Sequence, residues 1–147
     1  MKLSLQGAIL NVSDLDHSIE FYRAIFDLPL VSQRDQAAAL MISETGWLRV
    51  LVLRQVGRGT GVRPGRGALG IRVLCFEASS PDELEVIADR LGERHALLGR
   101  ERLDAYEVVV GVDPDRTEIT VSSSLTGGHI GSEEWTHLDD LVYDLGE

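Results

Sequence analysis

The chain has 147 residues, 44% hydrophobic and 26% charged, which suits one folded domain or two small modules on a common core and argues against a disordered chain. Its formal charge of −10, from 24 acidic and 14 basic residues, argues against nucleic acid and an anionic membrane surface as partners, because both need a net-positive footprint. No apolar run approaches the ~18 residues of a membrane helix, MKLSLQGAILNV lacks the flanks of a secretion signal, and the lone Cys75 excludes an internal disulfide and any multi-cysteine zinc site, so the expected compartment is the cytoplasm.

LSLQGAILNV (3–12) is apolar and alternating enough to be a first strand. Ser13-Asp14-Leu15-Asp16 then reads as a helix start. Ser13 or Asp14 can accept a backbone N–H, and Asp16 suits the positive end of the helix dipole. The helix, expected over 15–27, aligns Leu15, Ile19, Tyr22 and Phe26 at spacings of 4, 3 and 4 and is stopped by Pro29. Strands are expected near 29–33, 37–43 and 47–54. Residues 54–67 hold five glycines, one proline and the arginines Arg54, Arg58, Arg63 and Arg66, and read as a flexible connection.

LGIRVLCFEA (69–78) opens the second half as a strand. At Ser80-Pro81-Asp82-Glu83 a helix begins: Ser80 can cap, Pro81 fits the first helical position, and Glu83 can complete a capping box. Over 81–94, Leu84, Ile87, Ala88 and Leu91 form its apolar face. Strands follow near 96–101, 105–112 and 117–123. Both halves therefore read strand–helix–strand–strand–strand, a duplicated module rather than a solenoid. The modules span about 4–56 and 68–123 of a single domain. The tail, 131–147, has six acidic residues and no Lys or Arg. There Ser132 can cap a helix with Trp135, Leu138, Val142 and Leu145 on one narrow stripe, docked on its own domain or across a second subunit.

The run LQGAILNVSDLDHSIEFYRAIFDLPL resembles the opening of the vicinal oxygen chelate superfamily, which includes glyoxalase I, extradiol dioxygenases and bleomycin-resistance proteins. The resemblance rests on the strand, Asp14-Leu15, Ser18, Phe21-Tyr22 and the helix end near Leu28. VVVGVDPDRTEITV adds the Asp113-Pro114-Asp115 turn and a last strand, so the resemblance covers about residues 3–123. It implies an α+β fold of two βαβββ modules whose sheets share a concave cavity, with the C-terminal helix added, and a homodimer. Enzymes of this kind hold a divalent metal in the cavity, with one ligand, usually His, from the start of the first strand of each module and one, a carboxylate or His, from the last strand of each. Position by position, this chain places Gly7, Val73 and Thr120 where ligands are expected, and the fourth place falls in 47–54, which has neither acid nor His. A shift of one residue brings only Gln6, Ala8, Arg72 or Leu74. His17 reads as a surface residue, His95 as a helix end, and His129 and His137 are eight apart, wider than the usual helical ligand pair. The expectation is no metal and no cofactor.

Strand alternation then sorts the faces. Leu5, Ile9 and Asn11 share a face with Gly7; Ile71, Cys75 and Glu77 with Val73; Glu118 and Ser122 with Thr120. Leu74, Phe76, Ile119 and Val121 suit packing under the helices. The expected ligand-binding set is Asn11, Trp47, Cys75, Glu77, Tyr106, Glu118, Thr120 and Ser122. Glu77 and Glu118 can bind a cation or act as bases, and Trp47 and Tyr106 can wall a planar ligand. Cys75 has no histidine to activate it and reads as a small buried residue. The Arg-rich connection can clamp an anion. Two functions fit: a metal-free protein that binds or sequesters a small organic molecule, of the bleomycin-resistance kind, or a superfamily lyase, isomerase or dioxygenase with a displaced metal or Glu-based acid–base chemistry.

Overall fold

The structure, a computed structural model, describes residues 1, 5–43, 48–56 and 73–127. Trp47, Ile71, the connection from 57 to 72, His129, His137 and the expected tail helix lie outside the described residues. Within them the elements run β1 (Gly7–Val12), α1 (Leu15–Phe26), β2 (Leu30–Arg34), β3 (Ala37–Met41), β4 (Val50–Gln55), β5 (Val73–Glu77), α2 (Pro81–Glu93), β6 (Leu97–Leu103), β7 (Tyr106–Val112) and β8 (Glu118–Ser124). Contacts divide the chain into two compact units, Met1–Val62 and Arg63–Glu147. Each is a βαβββ module, so the fold is α+β with the duplicated order the sequence predicts. No helix among the described residues is long and apolar enough to cross a membrane.

In the first module, α1 starts because two side chains satisfy its free N–H groups. Asp14 accepts from His17 N at 3.0 Å, and Gln55, from the end of β4, accepts from Leu15 N at 2.9 Å. The helix ends before Pro29 is reached: Asp27 turns to φ 54°, and its N–H donates to Arg23 O at 2.9 Å. Asp tolerates this left-handed conformation because its short side chain bonds locally. Leu15, Ile19 and Tyr22 are buried as the stripe predicts, but Phe21 and Ile25 widen it and Phe26 is only partly covered. The sheet order is β1-β4-β3-β2, with β1 parallel to β4 and the other pairs antiparallel. α1 lies on β3 and β4, over the buried Leu10, Val12, Ala38, Leu40, Leu51 and Leu53.

The second module repeats this arrangement: β5 and α2 begin 66 residues after β1 and α1 (Gly7 to Val73, Leu15 to Pro81). Its sheet has the matching order β5-β8-β7-β6, again with its first and last strands parallel. Even the bulges repeat, between Leu30 and Ser32 on β2 and between Leu97 and Gly99 on β6. α2 begins as read: Ser80 Oγ accepts from Glu83 N at 3.1 Å with Pro81 in the first turn, while the Glu83 carboxylate reaches back to the Ser79 hydroxyl at 2.7 Å. Leu84, Ile87, Ala88 and Leu91 are buried on the side of Leu74, Val109, Ile119 and Val121. On the exposed side, Arg100 of β6 bonds Glu85 of α2 and Glu107 of β7, and its guanidinium holds the Glu85 carboxyl below the usual range.

Candidate functional site

Each sheet has a face turned away from its helix, and the ladder register fixes which side chains stand on it. In the second module, Val73 pairs with Glu118, Cys75 with Thr120 and Glu77 with Ser122 across β5 and β8. On the other side of β8, Val112, Val110 and Val108 pair with the same three residues. Glu118, Thr120 and Ser122 thus form a polar row down a central strand, between valines on β7 and the edge strand β5. All three are buried, Thr120 to 1% exposure. The Thr120 hydroxyl has no hydrogen-bond partner among the described residues. A buried hydroxyl normally finds one, so Thr120 is a donor and acceptor still available to something else.

The two carboxylates do not form a pair. Glu77 stands beside Ser122 and Glu118 beside Val73, four residues apart along the ladder, which is about 13 Å at strand rise. Thr120 lies midway. Cys75, at its side, is exposed, against the expectation of a small buried residue. The reason is topological: β5 is the edge of its sheet, so its outer side chains have a neighbour on one side only. Tyr106 is buried against Val108 and Val110, with Val73, Leu98 and Leu103 around the cluster. It is therefore a packing residue at the end of the row, more than a free wall.

In the first module the corresponding face is open, apolar around Ile9 and Val52 and polar at Asn11 and Arg54. Gly7, Ile9 and Asn11 of β1 stand beside Val50, Val52 and Arg54 of β4, and Ile9 is 65% exposed. Asn11, exposed at the end of β1, is the one expected ligand-binding residue in the described part of this module.

The repeat also locates the fourth ligand place. Gly7 pairs with Val50 as Val73 pairs with Glu118, so Thr120, two residues further, corresponds to Val52. The four places are then Gly7, Val52, Val73 and Thr120, with a single oxygen among them. Gly7 carries no donor atom, and a side chain there would be tight, since a Cβ would lie 3.0 Å from Val50 O. Among the described residues no three His, Cys, Asp or Glu side chains come together as a metal cluster. The side chains at these four places do not fit a divalent metal, which needs nitrogen, thiolate or carboxylate donors.

Residues 4–121 match the family model described as the Glyoxalase/Bleomycin resistance protein/Dioxygenase superfamily. Among solved structures, a glyoxylase/bleomycin resistance protein/dioxygenase domain from Frankia sp. EAN1pec is 22% identical, with a TM-score of 0.72 over 84% of this chain and 99% of that one. Lactoylglutathione lyase from Agrobacterium tumefaciens is 21% identical, with a TM-score of 0.64 over 86% and 97%. The fosfomycin resistance protein FosX from Mesorhizobium loti is 13% identical, with a TM-score of 0.63 over 91% and 97%. No curated protein sequence matches the chain.

Proposed function

The chain belongs to the Glyoxalase/Bleomycin resistance protein/Dioxygenase superfamily, and on that premise we propose that it is a metal-free member that binds or sequesters a small organic molecule on the sheet faces opposite its helices. The observation that carries this reading is Thr120: where a ligating acid is expected, the chain has a buried hydroxyl without a partner among the described residues. Such a group can donate to or accept from an organic ligand, but it is a poor donor to zinc, iron or manganese. The exposed edge strand gives access, since Cys75 and Glu77 are open beside Thr120 and Ser122. With Glu77 and Glu118 at the two ends of the row, a neutral or cationic ligand is favoured over an anion on this face. Asn11 and Trp47 complete the proposed ligand-binding set, in a cytoplasmic homodimer.

A thermal-shift screen across cationic antibiotics, neutral aromatics and anionic thiol conjugates tests it. Glu77→Gln and Glu118→Gln are expected to weaken the best cationic binder by about 1.5–3 kcal/mol each, the value of a hydrogen bond to a charged group. Stabilisation by anionic conjugates alone, unchanged in both variants, would overturn the reading for this face. The second reading, an enzyme working through acid–base chemistry, draws support from Glu118, a buried carboxylate beside the Thr120 hydroxyl on the same strand. It requires turnover that Glu118→Gln abolishes while ligand binding survives.

A further inference from the structure

We propose that the open sheet face of the first module holds an oxyanion site built from Arg34 and Arg54, which takes a small organic carboxylate or phosphate. The register sets these residues in one row across the sheet: Asn11 pairs with Arg54, Arg54 with Ala37, and Ala37 with Arg34. Their chain neighbours Leu53 and Ala38 are buried toward α1, so the row stands on the opposite face. In the register, Ala37 is the one residue between the two arginines. Strand spacing puts their stems roughly 10 Å apart, and two long side chains can converge over a methyl group on one ligand. The Asp35-Gln36 turn closes the end of the sheet, and Arg34, Asp35, Gln36, Ala37 and Arg54 line an open hollow of about 410 Å³.

The charge of this row, unlike that of Arg100, is unmatched among the described residues. Arg100 satisfies its guanidinium with Glu85 and Glu107. Among the described residues, neither the Arg34 nor the Arg54 guanidinium has an ion pair or a hydrogen bond. Two like charges flank one alanine in a chain of net charge −10, and among the described residues of the lining Asp35 is the one carboxylate. A carboxylate or phosphate between the forks would relieve the repulsion and make charge-assisted bonds with both. In the next row of the same face Ala39, Val52 and the exposed Ile9 are apolar and in register, and Ser32 of β2 ends the row beside Ala39. The ligand class is therefore an oxyanion with a small apolar body. This site lies on a different sheet from the Glu118–Ser122 row and does not depend on it.

The test is an NMR titration of the ¹⁵N-labelled full chain with inorganic phosphate, benzoate and phenyl phosphate. Saturable shifts are expected at the amides of residues 34–37 and 54–55, with Ile9, Ala39 and Val52 joining for the two aromatic anions. Whichever of benzoate and phenyl phosphate binds more tightly identifies the headgroup. Replacing both arginines, R34Q/R54Q, should weaken binding about tenfold or more, and Asp35→Asn should tighten it. Both arginines are exposed, so the double variant should melt as the parent does; if it does not, Asp35→Asn and Arg54→Gln alone decide. Shifts that fail to saturate, shifts at Arg100 and Arg116 equal to those at Arg34 and Arg54, or unchanged affinity in the variants would overturn the site.

Discussion

Thr120 is held at 1% exposure with its Oγ1 unpaired among the described residues. Leaving a buried hydroxyl unsatisfied costs about 1–3 kcal/mol, while exchanging it for a methyl group of the same shape can be neutral or stabilising. Thr120→Val is therefore expected to leave the free protein as stable as the parent, or more stable by up to about 1 kcal/mol. It should also reduce the thermal shift given by the best ligand. Melting curves with and without ligand separate the two effects. A clear loss of stability in the free variant would mean that the hydroxyl serves the fold and not a ligand. From the sequence the residue type at this place could be read, because the Asp113-Pro114-Asp115 turn fixes the count. The burial could not, because it depends on Val110 at its side, a neighbour set by strand register.

Among the elements, helix starts were the most legible features. Ser80, Pro81 and Glu83 are local in sequence, and their bonds form as their order suggests. Gln55 at the start of α1 was not legible, since its bond to Leu15 spans 40 residues and arises only once β4 lies beside β1. The same holds for the row of Arg34 and Arg54. The two-residue turn after Arg34 hints at its pairing with Ala37, but the pairing of Ala37 with Arg54 is a register, which residue order alone does not set. The contact between α2 and β7 is equally hidden. Gly111 stands on the helix side of β7, and a Cβ there would lie 2.8 Å from Ala96 O and 3.1 Å from a Leu91 methyl. A side chain can yield, but the carbonyl belongs to the turn that holds the end of α2 to β7, where Val112 N donates to Ala96 O at 2.9 Å. Gly111→Ala should thus destabilise the protein by about 1–3 kcal/mol, the usual cost of overpacking, measured by denaturant unfolding. A variant as stable as the parent would show that this helix–sheet contact yields to a methyl group.

For the whole molecule, the duplicated order was visible because each module repeats the same local signals, an apolar strand, a capped helix and three short strands. What the repeat adds is correspondence between modules, and this bears most directly on chemistry. The four equivalent strand places are Gly7, Val52, Val73 and Thr120, so nitrogen, thiolate and carboxylate donors are missing from these places in both modules. At Gly7 the nearby Val50 O leaves little room for any longer side chain. Glu118 and Glu77 are carboxylates on the second sheet, but about 13 Å apart they cannot share an ion. Protein purified without a nickel column is therefore expected to contain no stoichiometric zinc, iron, manganese or nickel by elemental analysis. A chelator should leave its melting temperature unchanged, because metal that binds the native state stabilises it by mass action and its removal would lower the melt. Near-stoichiometric metal, with a melting temperature that falls on chelation and recovers when the metal is restored, would refute the metal-free reading. It would direct attention to Glu118, Glu77, Gln6 and the tail histidines as donors, and Glu118→Gln would then be the first variant to lose the ion.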